Sequence, residues 1–190
     1  MKPTRLRATI ARPADTTAYA AGDEISNSAT AADVVRAEFD LSGFTRGKIY
    51  SAAIDLTAAS GNVVTTGTDF EILLFRYADA PEAVGDNVTN PIAANIRSLA
   101  VASFRINYDD WLGELGTVGE SGSQSQNIAA EIFRPVSTPA SLQPQYAGGF
   151  FFDFTGYKKH SLLMVLRASV AWDPTGVINT FGVTLDLEAE

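Results

Sequence analysis

Apolar and polar residues alternate along most of this chain, and the alternation repeats in short stretches bounded by Gly, Pro, Asn and Asp. In Leu6 to Arg12 the apolar positions are Leu6, Ala8 and Ile10, the period-two pattern of a half-buried strand. Pro13 to Thr17 reads as a turn cluster, and Tyr19 to Gly22 with Glu24-Ile25 as a second short strand or ordered loop. Val35, Ala37, Phe39 and Leu41 share one face of the next stretch, and Lys48 to Leu56 continues in the same style. Phe70 to Tyr77 is aromatic and aliphatic and predicts a buried strand. Leu99 to Ile106 follows, with Leu99, Val101 and Phe104 turned inward. Phe150 to Phe154, Leu162 to Trp172 and Phe181 to Leu187 complete the series.

About eight or nine strands punctuated by turn residues predict an all-β fold, an antiparallel β-sandwich. The last two long strands, joined by Asp173-Pro174-Thr175-Gly176, are expected to be neighbours in one sheet. Two stretches interrupt the pattern. Asp79 to Asn95 holds Pro81, Gly85 and Asn90-Pro91 and reads as a long loop; Gly113 to Asn127 is rich in Gly, Ser and Gln and reads as a projecting one. One domain is expected over residues 1–190, with an arm-like N-terminal segment over about residues 1–30 that lies on a neighbouring subunit or wraps its own body.

Composition narrows the function classes. Apolar residues make up 46% of 190, enough for a real core without disulfides, and there is no cysteine. The net charge of −8 argues against nucleic acid as a partner, since phosphate binding needs a basic stripe. The basic residues near the start, Lys2, Arg5, Arg7 and Arg12, are few. No apolar run approaches the roughly 20 residues of a membrane span. No apolar stretch follows the early charges before Arg12-Pro13, so no secretory leader is expected.

Candidate chemistry is sparse. A single histidine, His160, lacks a Gly-x-Ser-x-Gly nucleophile signature and is read as structural. One histidine and no cysteine exclude a structural zinc site of the usual kind. Asp79, Asp86, Asn87 and Asn90, and the pair Asp109-Asp110, lack the spacing of a calcium loop and are read as solvated loop groups. Gly113, Gly116, Gly119 and Gly122 form no phosphate-binding motif. No cofactor, no metal and no catalytic residue is expected. In Phe150-Phe151-Phe152-Asp153-Phe154, aromatic side chains fall on both faces, which marks Phe151 as an interface candidate unless both faces are buried.

The phrase Ile10 to Asn27, Ile-Ala-Arg-Pro-Ala-Asp-Thr-Thr-Ala-Tyr-Ala-Ala-Gly-Asp-Glu-Ile-Ser-Asn, resembles the opening of small structural proteins of tailed bacteriophages. It covers about a tenth of the chain. The resemblance implies a jelly-roll-like fold and a non-enzymatic head protein that decorates the capsid. Its expected partners are the major capsid protein and itself, as a homotrimer. Its expected place is the virion surface, assembled in the host cytoplasm. Arg5, Arg7, Arg12, Tyr19, Trp111 and Phe151 are the expected partner-binding residues. The competing expectation is a carbohydrate-recognising jelly roll of a tail. In that reading Trp111 with Asp109 and Asp110, or Trp172 with Asp173, would hold the sugar.

Overall fold

In the computed structural model, residues 2–13, 17–58, 69–106, 127–132, 149–172 and 179–190 are described. Eleven strands are found among them: β1 (Lys2–Ala11), β2 (Asp23–Ile25), β3 (Glu38–Asp40), β4 (Arg46–Ala58), β5 (Phe70–Arg76), β6 (Val88–Thr89), β7 (Ala102–Ile106), β8 (Asn127–Ile132), β9 (Phe150–Asp153), β10 (Ser161–Ala168) and β11 (Asn179–Ala189). One helical turn, α1 (Ala94–Arg97), lies between β6 and β7.

All pairings are antiparallel and they build two sheets. The first has the order β1-β11-β4-β8, with β9 also on β4; the second has the order β6-β2-β10-β5-β7, with β3 also on β10. Along the chain, β1 and β4 lie in the first sheet and β2, β3 and β5 in the second. The chain then crosses to the first sheet at β8 and β9, back at β10, and again at β11. A four-position and a five-position antiparallel sheet packed face to face make an all-β sandwich. One position is split between β2 and β3, and its counterpart in the other sheet between β8 and β9.

The core lies between the sheets. Phe181, Val183, Leu185, Leu187 and Ala189 of β11 meet Ile72 and Leu74 of β5 and Leu162, Met164 and Leu166 of β10 in one cluster. The alternation read in β11 therefore holds, with Thr184, Asp186 and Glu188 turned away from the core. Strand β5 is buried on both faces, as its composition predicts.

Two expectations need correction. Strands β10 and β11 are not neighbours: they belong to opposite sheets, because turn-forming residues between two strands do not specify which strands pair. Val35 and Leu99 are exposed, since strand structure begins only at Glu38 and Ala102, three residues beyond each. The stretch after β5 is largely loop, as its residues predict, and it packs against the protein's own sheet. A short 3-10 turn at Tyr77–Asp79, β6 and α1 carry it across the outer face of the second sheet, where Ala80, Ile92, Ile96 and Ala100 cover Leu73, Phe75 and Val165.

β1 pairs with β11 over its full length, from Lys2↔Ala189 to Ala11↔Thr180, and β2 joins the second sheet of the same chain.

Candidate interaction surface

The two sheets differ on their outer faces. The second is covered by the chain's own residues 77–101. The first presents β1, β11, β4 and β9, whose outward residues are mainly charged or hydroxylated, with two aromatics among them.

A bulge creates this aromatic spot. Ser51 faces Asp186 and Ile49 faces Leu187, so Tyr50 is the extra residue on β4. A bulge shifts the side-chain phase by one. Ile49 and Ala52 therefore both point inward, and Tyr50 and Ser51 both turn out. Tyr50 is 46% exposed and Phe151 is 58% exposed. Lys48 stands opposite Phe151 in the ladder. Its ammonium lies 4.8 Å from the Tyr50 ring centre and 5.2 Å from that of Phe151, a double cation–π contact.

Carboxylates frame the group. The Tyr50 hydroxyl donates to Glu188 at 2.7 Å, and this bond raises the phenol above its usual range. Arg5 donates through Nε to Asp186 at 2.7 Å, and Ser51 donates to the same carboxylate at 3.1 Å. The Arg5 bond holds the Asp186 carboxyl below its usual range. Two shallow clefts flank Phe151. One, about 230 Å³, runs along Leu99, Val101 and Phe150; the other, about 330 Å³, lies against Arg46, Gly47 and Asp153.

Of the six expected binding residues, Arg5, Arg7 and Phe151 share this open face. Trp111 lies outside the described residues, as do Asp109, Asp110, most of the Gly/Ser stretch and the Asp173–Gly176 turn. Arg12 and Tyr19 are corrections, because each is only 1% exposed. Arg12 Nε donates to the Tyr19 hydroxyl at 2.9 Å, and that hydroxyl donates to Asp86 at 2.6 Å. The other Asp86 oxygen accepts the Ser26 N–H at 2.9 Å. Burial first, then Asp86, raises the Tyr19 phenol far above its usual range. This network ties the end of β1 to the segment after β2 and to the cover of the second sheet. Trp172 is likewise buried, at 6% exposure, and stacks on Tyr19 at 5.1 Å.

His160 is structural in its contacts: Nδ1 meets the Phe44 carbonyl oxygen at 2.7 Å and the ring stacks on Phe154. Among the described residues no three His, Cys, Asp or Glu side chains come together as a metal site. Asp79 pairs with Arg76, and Asn90 donates to Glu24.

Sequence reasoning missed Tyr50 and Lys48. The signal was present as a break in alternation, with apolar residues at 49, 52 and 54 rather than every second position. Neither a scan against protein-family models nor a search of curated proteins finds a match to this chain.

Proposed function

We propose that this protein is a non-enzymatic structural component of a tailed-phage virion: a decoration (cement) protein that binds the outer face of the shell formed by the major capsid protein. The observation that carries the reading is the open outer face of the first sheet, with Tyr50, Lys48 and Phe151 grouped upon it. Aromatic and basic groups on an otherwise polar surface are the residues that interfaces enrich. The resemblance of residues 10–27 to phage structural proteins supplies the identity of the partner. A two-sheet β-sandwich, read as a jelly roll, suits the role, since that fold recurs in capsid proteins.

In this reading the mechanism is adhesion. Each copy makes modest contacts, and a homotrimer multiplies them into avidity. Assembly takes place in the host cytoplasm, and the protein ends on the virion surface. The test is co-sedimentation of purified protein with shells that lack it, alongside native mass measurement. Wild type binds as a trimer. The Phe151→Asp and Tyr50→Asp double variant keeps its fold and loses binding. Undiminished binding by that variant, or a monomer without shell affinity, overturns the proposal.

The same group favours one second reading, a carbohydrate-recognising tail jelly roll. Two exposed rings beside Glu188 and Asp186 have the chemistry of a sugar platform. Binding on a glycan array that the same double variant abolishes would select this reading over the first.

A further inference from the structure

The outer face of the second sheet carries a row of alternating charges. Glu24 of β2 is paired with Arg167 of β10, Arg167 with Glu71 of β5, and Glu71 with Arg105 of β7. Neighbouring strands lie about 4.8 Å apart, so Glu71 has an arginine on each side. A third arrives from the cover, where Arg97 of α1 donates to Glu71 Oε1. Arg167 Nε lies 3.8 Å from Glu71 Oε2.

These charges do not balance. Glu24 is held by Arg36 at 3.2 Å and by the Asn90 amide at 2.5 Å. Among the described residues Glu71 is then the one carboxylate among three guanidiniums, leaving two positive charges over, in a chain of net charge −8. Arg105 is exposed and has no ion pair among the described residues. Burial first, and then the nearby charges of Arg167 and Arg105, lower the Arg97 pKa. Two donors also lack acceptors. Among the described residues Arg167 Nε and Ser103 Oγ are buried without a hydrogen-bond partner, while Arg167 Nη1 donates to the Asn90 carbonyl oxygen at 3.1 Å; Ser103 lies two residues before Arg105 on the same face of β7.

We propose that Arg97, Arg105 and Arg167 form a binding site for a doubly charged oxyanion of the hydrogen-phosphate class. A dianion matches the excess charge, and guanidinium forks match the geometry of phosphate oxygens. Arg105 and the partly exposed Arg97 meet the anion from the solvent side, and Arg167 supports it from within the sheet. The site is independent of the docking face, which lies on the other sheet.

The probe is inorganic phosphate, titrated in a low-salt buffer and followed by melting temperature and calorimetry. Wild type shows a saturable rise in melting temperature that potassium chloride at matched ionic strength does not reproduce. Arg105→Gln alters an exposed side chain that has no ion pair among the described residues, and it leaves the fold intact. It weakens phosphate binding at least tenfold, while Arg105→Lys retains part of it. Equal effects of chloride and phosphate, or unchanged affinity in Arg105→Gln, overturn the proposal.

Discussion

Replacing Tyr19 with phenylalanine removes one oxygen from the interior and leaves the ring. The stacking on Trp172 at 5.1 Å and the edge contacts of Trp172 with Phe70 and Phe181 are kept, so the substitution isolates the hydroxyl. That hydroxyl accepts from Arg12 at 2.9 Å and donates to Asp86 at 2.6 Å. Both charged side chains are fully buried, and their own closest approach is 3.9 Å, too long for a hydrogen bond. Hydrogen bonds to charged groups contribute about 1.5–3 kcal/mol each. Two are lost, but Arg12 and Asp86 recover part of the energy by closing on one another. The expected loss is about 2–4 kcal/mol. At 2–4 °C per kcal/mol for a domain of this size, the melting temperature falls by roughly 5–15 °C.

The assay is thermal and urea unfolding of wild type and Tyr19→Phe at pH 7. A fall of less than about 2 °C would refute the reasoning, since the hydroxyl would then not link two buried charges. The ionisation adds a check of sign. The folded phenol is raised well above its ordinary value of 10.0 by burial and Asp86. Its contribution is therefore fully present below the unfolded value of about 10 and is lost as pH rises beyond it. Wild type loses stability more steeply than Tyr19→Phe above that pH.

Three further outcomes follow from the same geometry. Gly47→Ala places a Cβ 2.4 Å from the Glu188 carbonyl oxygen and 2.5 Å from the Phe152 ring, forcing β4, β9 and β11 apart. Chemical unfolding detects a cost of about 1–3 kcal/mol. Arg5→Ala removes an exposed ion pair to Asp186 and costs under about 1 kcal/mol at neutral pH. Because the folded Asp186 carboxyl is depressed, that small contribution is present above its unfolded value and is lost as pH falls through the folded one; equal acid titrations of wild type and variant would contradict it. Phe151→Asp alone, at a position exposed in the folded chain, changes the melting temperature by less than about 2 °C, yet weakens shell binding in co-sedimentation.

Much of the architecture is written in local pattern. The even spacing of Phe181, Val183, Leu185 and Leu187 marks a strand with one face in a core, and β11 is such a strand. β10 was visible as an apolar run, but its partners were not. A strand buried on both faces carries no alternation to show which sheet it serves. β8 was not anticipated, since Asn-Ile-Ala-Ala-Glu-Ile has two alanines where a strand would show branched residues. The open face was half legible. Phe151 stands out in an aromatic run, whereas Tyr50 turns outward only because of the bulge. Arg12 and Tyr19 were misplaced for a different reason. A charge near a terminus reads as solvated, and only the fold brings Asp86 to meet it. The arginine site required the register of four strands, which no local pattern encodes.

The contrast between the two outer faces limits how the protein can adhere. On the second sheet, Leu73, Phe75 and Val165 point outward, and the chain must bring its own cover to keep them from water. On the first, Thr184, Asp186 and Glu188 of β11 and Lys48 and Ser51 of β4 stay compatible with water, and no residues of the 77–101 cover lie across them. A face that is wet in the free protein contributes little through aliphatic burial when it docks. Its affinity must then rest on the two aromatic rings and on charge matching, contacts that are weak singly and sensitive to salt. Such a face gains most from repetition, so in the proposed role its strength depends on how many copies engage at once rather than on the quality of one contact.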